Sequence, residues 1–145
     1  MAGADARRLA IEAVRRIDDD GAYANLLLPT LLADSGLEQR DRNLVTEIVY
    51  GATRMRRAVD WLADRFLVSP PPPALRAALR VGAYQLAFMR IPPHAAVSVT
   101  VEASAKRNRG VVNAVLRKIA DSLPVEWPSE GIRLSYPDWL IEALA

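Results

Sequence analysis

The chain has 145 residues, 51% of them hydrophobic and 25% charged, enough for one compact core and too few for two. It has no cysteine, which excludes disulfides, thiolate metal sites and a cysteine nucleophile, and it fits a cytoplasmic protein. The net charge is only +2 but uneven: residues 1–120 hold 18 basic against 12 acidic residues, whereas residues 121–145 hold one arginine against five acids. No stretch reaches the roughly 18 apolar residues of a membrane span, and the first residues carry no apolar signal core.

Seven helical segments follow in order, each read from apolar residues at helical spacing. The first, about 5–18, turns Leu9, Ala10, Ala13, Val14 and Ile17 to one side, with Arg7, Arg8, Arg15 and Arg16 largely off that stripe. Asp18-Asp19-Asp20-Gly21 should end it in a solvated turn, Gly21 supplying the bend. The second, about 24–33, points Leu27, Leu28, Leu31 and Leu32 inward. Pro29 removes an amide donor there, so a kink or a late start near Asn25 is expected. The third, about 39–53, is the clearest, with Leu44, Val45, Ile48, Val49 and Ala52 on one face. The fourth, about 55–67, buries Met55, Val59, Leu62 and Phe66; Gly51 either separates it from the third or is absorbed by it.

Ser69 and Pro70–Pro73 form a stiff connector that cannot be helical. The fifth segment, about 74–89, carries Leu75, Leu79, Gly82, Ala83 and Leu86. Gly82 costs about 1 kcal/mol against alanine in a helix, which points to close approach by another helix. Val97-Ser98-Val99-Thr100-Val101 alternates like a strand. Its surroundings favour helix and no partner strand is visible, so 94–107 is expected to be helical. The seventh segment, about 111–122, presents Val111, Val112, Val115 and Ile119. Pro124 and Pro128 then mark a linker, and Pro137 opens a last helix that is barely two turns long at Ala145. The expected organisation is one domain over 1–123, and over 124–145 a linker and the start of a following region.

Three ordered motifs carry a resemblance. They are Arg40-Asp41-Arg42-Asn43-Leu44-Val45-Thr46-Glu47-Ile48-Val49-Tyr50-Gly51 with Arg54; Leu79-Arg80-Val81-Gly82-Ala83-Tyr84-Gln85-Leu86 with Met89-Arg90-Ile91-Pro92-Pro93-His94-Ala95-Ala96-Val97; and Val112-Asn113-Ala114-Val115-Leu116-Arg117. Together they resemble the NusB-like N-terminal domain of bacterial rRNA cytosine-C5 methyltransferases, the RsmB (Sun/Fmu) family. The resemblance implies an all-α, NusB-like bundle of about seven helices in two subbundles joined near the proline connector. It also implies a module that binds RNA, 16S rRNA in this family, and presents it to its own C-terminal catalytic domain. Stand-alone NusB antitermination factors resemble the same span. Leu134-Ser135-Tyr136-Pro137-Asp138-Trp139-Leu140 is similar to the methyltransferases' link into their next region. An antitermination or protein-interaction domain is the alternative.

Methylation at cytosine C5 needs a nucleophile at C6, a cysteine thiolate in the resembled family, and this chain has none. It also lacks a glycine-rich strand–turn–helix for S-adenosylmethionine, so the cofactor and the reaction are expected in sequence beyond Ala145, and no catalytic residue is assigned. A single histidine, His94, gives no ligand spacing for a metal and fits a helix start. The candidate RNA contacts are Arg7 and Arg8 on the first helix, Arg54 and Arg57 with Arg56 around the fourth, and Lys106, Arg107 and Arg109 before the seventh. For each the alternative is a solvated face. The resemblance favours the first and third groups, which lie side by side in that fold. Asn113 could read a base edge or tie helix ends together, and Tyr23 could stack on a base or pack. Tyr50, Trp61, Tyr84 and Phe88 are assigned to the core or to a contact with the next domain.

Overall fold

In a computed structural model, residues 2–19 and 23–144 are described. Among them are nine α-helices and no strand: α1 (Ala2–Asp19), α2 (Ala24–Ala33), α3 (Gln39–Arg54), α4 (Arg56–Asp64), α5 (Pro73–Phe88), α6 (Pro93–Ala103), α7 (Arg109–Asp121), α8 (Glu130–Leu134) and α9 (Asp138–Leu144). The turn expected at Asp20 and Gly21 lies outside the described residues.

The architecture is organised around α5. Leu75 and every residue from Ala77 to Leu86 are buried, because α1, α3, α4, α6 and α7 all pack against this helix. A helix surrounded on all sides has no solvent face to supply, so its sequence is apolar nearly all round. α2 packs on α1 and α3, α4 and α6 both pack on α7, and α1 also packs on α6, so the helices share one hydrophobic cluster with α5 at its centre.

Small residues permit the closest crossings. A Cβ at Gly82 would run into the Leu116 side chain of α7, and one at Gly51 into the Tyr84 ring of α5. Gly51 is therefore absorbed into α3, which continues to Arg54, with α4 following after Met55. On α1 the buried stripe is Ala4, Ala6, Ala10, Ala13 and Val14, mostly alanine, which brings its backbone close to α5 and α6.

Prolines set two helix starts. Pro73 and Pro93 occupy the first positions of α5 and α6, where the missing amide hydrogen costs nothing. Pro29 lies inside α2, which begins at Ala24 rather than later, with the proline exposed. The β-branched stretch 97–101 is helical, but α6 ends at Ala103. Ser104 and Ala105 are extended, and Lys106–Asn108 form a single 3-10 turn before α7. The helix expected over 94–107 is thus two pieces with a corner between them. Val111, expected to face inward, is 41% exposed.

Two polar networks cross the interior. Gln85, fully buried, accepts a hydrogen bond from Arg7 Nε at 3.0 Å and donates through Nε2 to Thr100 Oγ1 at 2.8 Å and to the Val81 carbonyl at 3.0 Å. At the other end of α1, Arg80 Nε and Nη2 donate to the two Asp60 carboxylate oxygens at 2.8 Å each, and Arg80 Nη1 meets Asp18 at 3.2 Å. Burial opposes the charge of Arg80, but the Asp60 hydrogen bonds and the charges of Asp60 and Asp18 outweigh it and hold the guanidinium above its ordinary range. Asp18 is therefore a counter-ion for α5 rather than part of a purely solvated turn.

The segment after α7 folds back onto the bundle. The Trp127 ring stacks on Phe88 at 5.8 Å and meets Trp61 at 5.6 Å, and Phe88 stacks on Tyr84 at 5.6 Å. Ser129 caps α8 by accepting from the Ile132 amide. Ser135, in the left-handed region at φ 57°, closes α8, and its hydroxyl accepts from the Ala58 amide in the first turn of α4.

Candidate nucleic-acid interface

The corner at Ser104 places the basic turn. Thr100 O accepts from Ser104 Oγ at 2.7 Å, and Ser104 O accepts from Arg109 Nε at 3.2 Å. Arg109 Nη2 also donates to Glu102 O at 3.1 Å, so this arginine holds the free carbonyls at the end of α6 while its charge stays at the surface. Lys106 and Arg107 project from the 3-10 turn, both exposed and, among the described residues, neither engaged by a carboxylate.

A groove of about 310 Å³ runs beside this turn. One wall is α1, with Arg8, Ile11, Glu12 and Arg15; the floor includes Ala74 and Ala78 of α5; the other wall is 103–105 and Asn108. Arg8 pairs with Asp5 at 2.7 Å and Arg15 with Glu12 at 3.0 Å, both on α1 itself. The Arg8–Asp5 pair is exposed, and such a pair is worth little, so Arg8 can be drawn to a phosphate at small cost. The structure thus brings the start of α1 and the turn before α7 to one surface.

The other sequence candidates fall elsewhere. Arg7 is buried, only 9% exposed, with Nε committed to Gln85. Desolvation lowers its pKa, partly offset by the charge of Asp41. Arg54 is exposed at the end of α3. Arg57 donates to the Tyr136 carbonyl at 2.7 Å and to Asp138 at 3.1 Å, which ties α4 to the start of α9. Arg56 meets Asp18 at 3.6 Å. Asn113 Oδ1 accepts from Arg117 Nε at 3.0 Å, so the amide links successive turns of α7 and leaves its NH2 group uncommitted. Tyr23 is 72% exposed. Tyr84 is buried, Trp61 and Phe88 are half-buried beside Trp127, and Tyr50 is partly exposed. No group of three or more potential metal ligands occurs among the described residues. No helix among them is long and apolar enough to cross a membrane.

Sequence reasoning passed over Arg15 as part of the groove and the Gln85–Thr100–Ser104 ladder beneath it. The available signal was one neutral polar residue, Gln85, in an otherwise apolar helix, with Thr100 and Ser104 one helical turn apart.

The NusB family description matches residues 4–121. A Mycobacterium tuberculosis protein named as a methyltransferase is 41% identical over 160 residues, covering 97% of this chain and 35% of its own length. Ribosomal RNA small subunit methyltransferase B of Thermus thermophilus is 43% identical over 142 residues, covering 94% and 34%. Its Escherichia coli counterpart is 32% identical over 148 residues, covering 95% and 34%. The chain therefore spans about a third of the length of the relatives it matches. With the family match running from the first turn of α1 to the end of α7, across every helix that builds the central cluster, the chain belongs to the NusB family.

Proposed function

We propose that this chain is the RNA-binding, substrate-positioning part of an S-adenosylmethionine-dependent cytosine-C5 methyltransferase acting on 16S rRNA in the cytoplasm. The observation that carries the reading is the groove, with Arg8 and Arg15 of α1 on one wall and, on the other, Ala105 and Asn108, which flank exposed Lys106 and Arg107, in a chain whose relatives bear the name of small-subunit rRNA methyltransferases. Arginine forks and an ammonium held by a rigid scaffold suit phosphate oxygens, and such contacts fix the register of an RNA without reading its sequence.

The methyl donor does not fit these residues. Binding it through a strand and glycine-rich turn needs a strand, and none occurs among the described residues. S-adenosylmethionine would supply the methyl group, and with no cysteine here the attack on cytosine C6 needs a thiolate from elsewhere in the protein. In this reading the present residues bind and orient RNA, and the side bearing exposed Tyr136 and Trp139 turns toward the catalytic domain. Given RNA and S-adenosylmethionine, this chain alone transfers no methyl group.

The test is a titration of a 16S rRNA fragment at several salt concentrations. Each phosphate contact contributes about 0.7–0.9 to the slope of log affinity against log salt, so Lys106→Ala/Arg107→Ala should weaken binding and flatten the slope by about 1.4–1.8. Lys118→Ala/Arg133→Ala, equal in charge removed but away from the groove, should change it little. Equal loss from both pairs would reduce the binding to diffuse attraction and overturn the groove. No binding by the parent chain would turn the reading to a protein-interaction domain of the antitermination type.

A further inference from the structure

A second cavity, of about 430 Å³, lies between α6 and α7. Its walls are apolar: Pro93, Val97 and Val101 from α6, and Ala120 from α7. Its rim is polar: His94 and Ser98 from α6, and Asn113, Arg117 and Asp121 from α7.

The rim groups are uncommitted. Apart from the bond between Arg117 Nε and Asn113 Oδ1, no side-chain hydrogen bond or ion pair engages His94, Ser98, Asn113, Arg117 or Asp121 among the described residues. Arg117 keeps both Nη groups, Asn113 its amide donors, and Asp121 both oxygens. Elsewhere on this protein arginines and carboxylates pair readily, as Arg80 does with Asp60 and Arg76 with Asp64 at 2.6 Å. Five polar side chains around one apolar-walled cavity, of which only Arg117 and Asn113 bond to each other, are the composition of a small-ligand site, in which apolar walls hold a body and a few polar groups fix its edge.

We propose that this cavity holds one nucleotide of the bound RNA strand, and prefers a base with an exocyclic amino group. This rests on the RNA-binding reading above. Val97 and Ala120 offer faces to a flat ring. The Asp121 carboxylate accepts from an exocyclic amine such as cytosine N4, the Asn113 amide donates to a ring acceptor beside it, and the Arg117 guanidinium takes the phosphate. The path is short. From Arg109 at the start of α7 to Arg117 is eight residues, about 12 Å along the helix, so a strand anchored at Lys106 and Arg107 reaches the cavity within a few nucleotides. Uracil presents a carbonyl where cytosine presents its amine, and that oxygen would face Asp121.

The experiment uses the whole chain, labelled with nitrogen-15. Cytidine 5′-monophosphate and uridine 5′-monophosphate are titrated separately while amide resonances are followed, and tetracytidylate and tetrauridylate are titrated by fluorescence anisotropy. Cytidine monophosphate should shift the amides of Ser98, Val101, Asn113 and Arg117, and bind about fivefold more tightly than the uridine compound. Asp121→Asn should remove that preference while keeping the shifts. Ser98→Tyr, which fills the cavity from an exposed position, should abolish the shifts with the helical circular dichroism unchanged. Tetranucleotide binding that stays sensitive to Lys106→Ala/Arg107→Ala but indifferent to base, Asp121→Asn and Ser98→Tyr would overturn the nucleotide cavity and leave the groove standing. Loss of all RNA binding in the parent would overturn both. An apolar peptide that shifts these amides, with both nucleotides silent, would overturn the nucleotide cavity and make it a protein contact.

Discussion

Replacing Gln85 with leucine tests the polar ladder beneath the groove. The two side chains are similar in volume, so the packing of α5 is nearly kept. What disappears is an acceptor for Arg7 Nε and a donor to Thr100 Oγ1, in a position with no exposure to water. A hydrogen bond to a charged group contributes about 1.5–3 kcal/mol and one between neutral groups about 1 kcal/mol. Leucine returns about 1 kcal/mol by removing a polar group from the interior. The net loss should be about 1.5–3 kcal/mol, with Arg7 left facing an apolar wall. Urea denaturation should show it as a lower midpoint at unchanged slope. Arg7→Met alone should cost a similar amount, and the double variant Arg7→Met/Gln85→Leu should recover about 1–2 kcal/mol of the summed loss, since both partners are then apolar. A single variant within about 0.5 kcal/mol of the parent, or strict additivity in the double, would refute the assignment of Arg7 to the interior ladder. The same Arg7→Met protein, if folded, should leave the salt slope of RNA binding unchanged.

Gly51→Ala should destabilise the protein despite alanine's helix advantage of about 1 kcal/mol, because the new methyl meets the ring of buried Tyr84; overpacking of this kind costs about 1–3 kcal/mol, and thermal melting would register it. Trp127→Ala should release the segment after α7 from Trp61 and Phe88, seen as faster amide exchange across α8 and faster proteolysis near Ser129 while α1 to α7 stay protected. Burial raises the Tyr84 pKa, an effect that Arg54 opposes and Glu47 assists. Its contribution to stability is therefore complete below the ordinary value of 10.0 and lost as pH rises through the folded value, so alkaline unfolding should be shallower in Tyr84→Phe.

The helices were legible because their apolar periodicity is strong, and Gly82 was legible as a crossing because glycine inside a helix is disfavoured unless a neighbour needs the space. The ends were less so. The corner after Ala103 is made by Arg109 reaching back to the carbonyls of Ser104 and Glu102, and nothing local forbids Ser104 and Ala105 from continuing a helix. Arg7 and Arg8 look equivalent in the chain, yet α1 turns one inward and the other outward. Positions 7, 10 and 14 share a face, and the partner that makes an arginine tolerable there, Gln85, lies 78 residues away. α8 escaped notice because five residues carry too little periodicity, although Ser129 before Glu130 has the form of a helix start. The cavity between α6 and α7 depends on the antiparallel pairing of two helices whose exposed residues are unremarkable one at a time.

The ladder from Arg7 through Gln85, Thr100 and Ser104 to Arg109 crosses α1, α5, α6 and the start of α7, and so clamps both walls of the groove to each other before any ligand arrives. A binding face built this way is a mould rather than a glove. The ordering entropy of association falls on the incoming strand alone, and a strand of the wrong curvature finds no loop that yields to accommodate it. In the RNA-binding reading proposed above, discrimination between RNA shapes would then come from the stiffness of the receptor, a property that resides in four buried side chains and in one arginine at the edge.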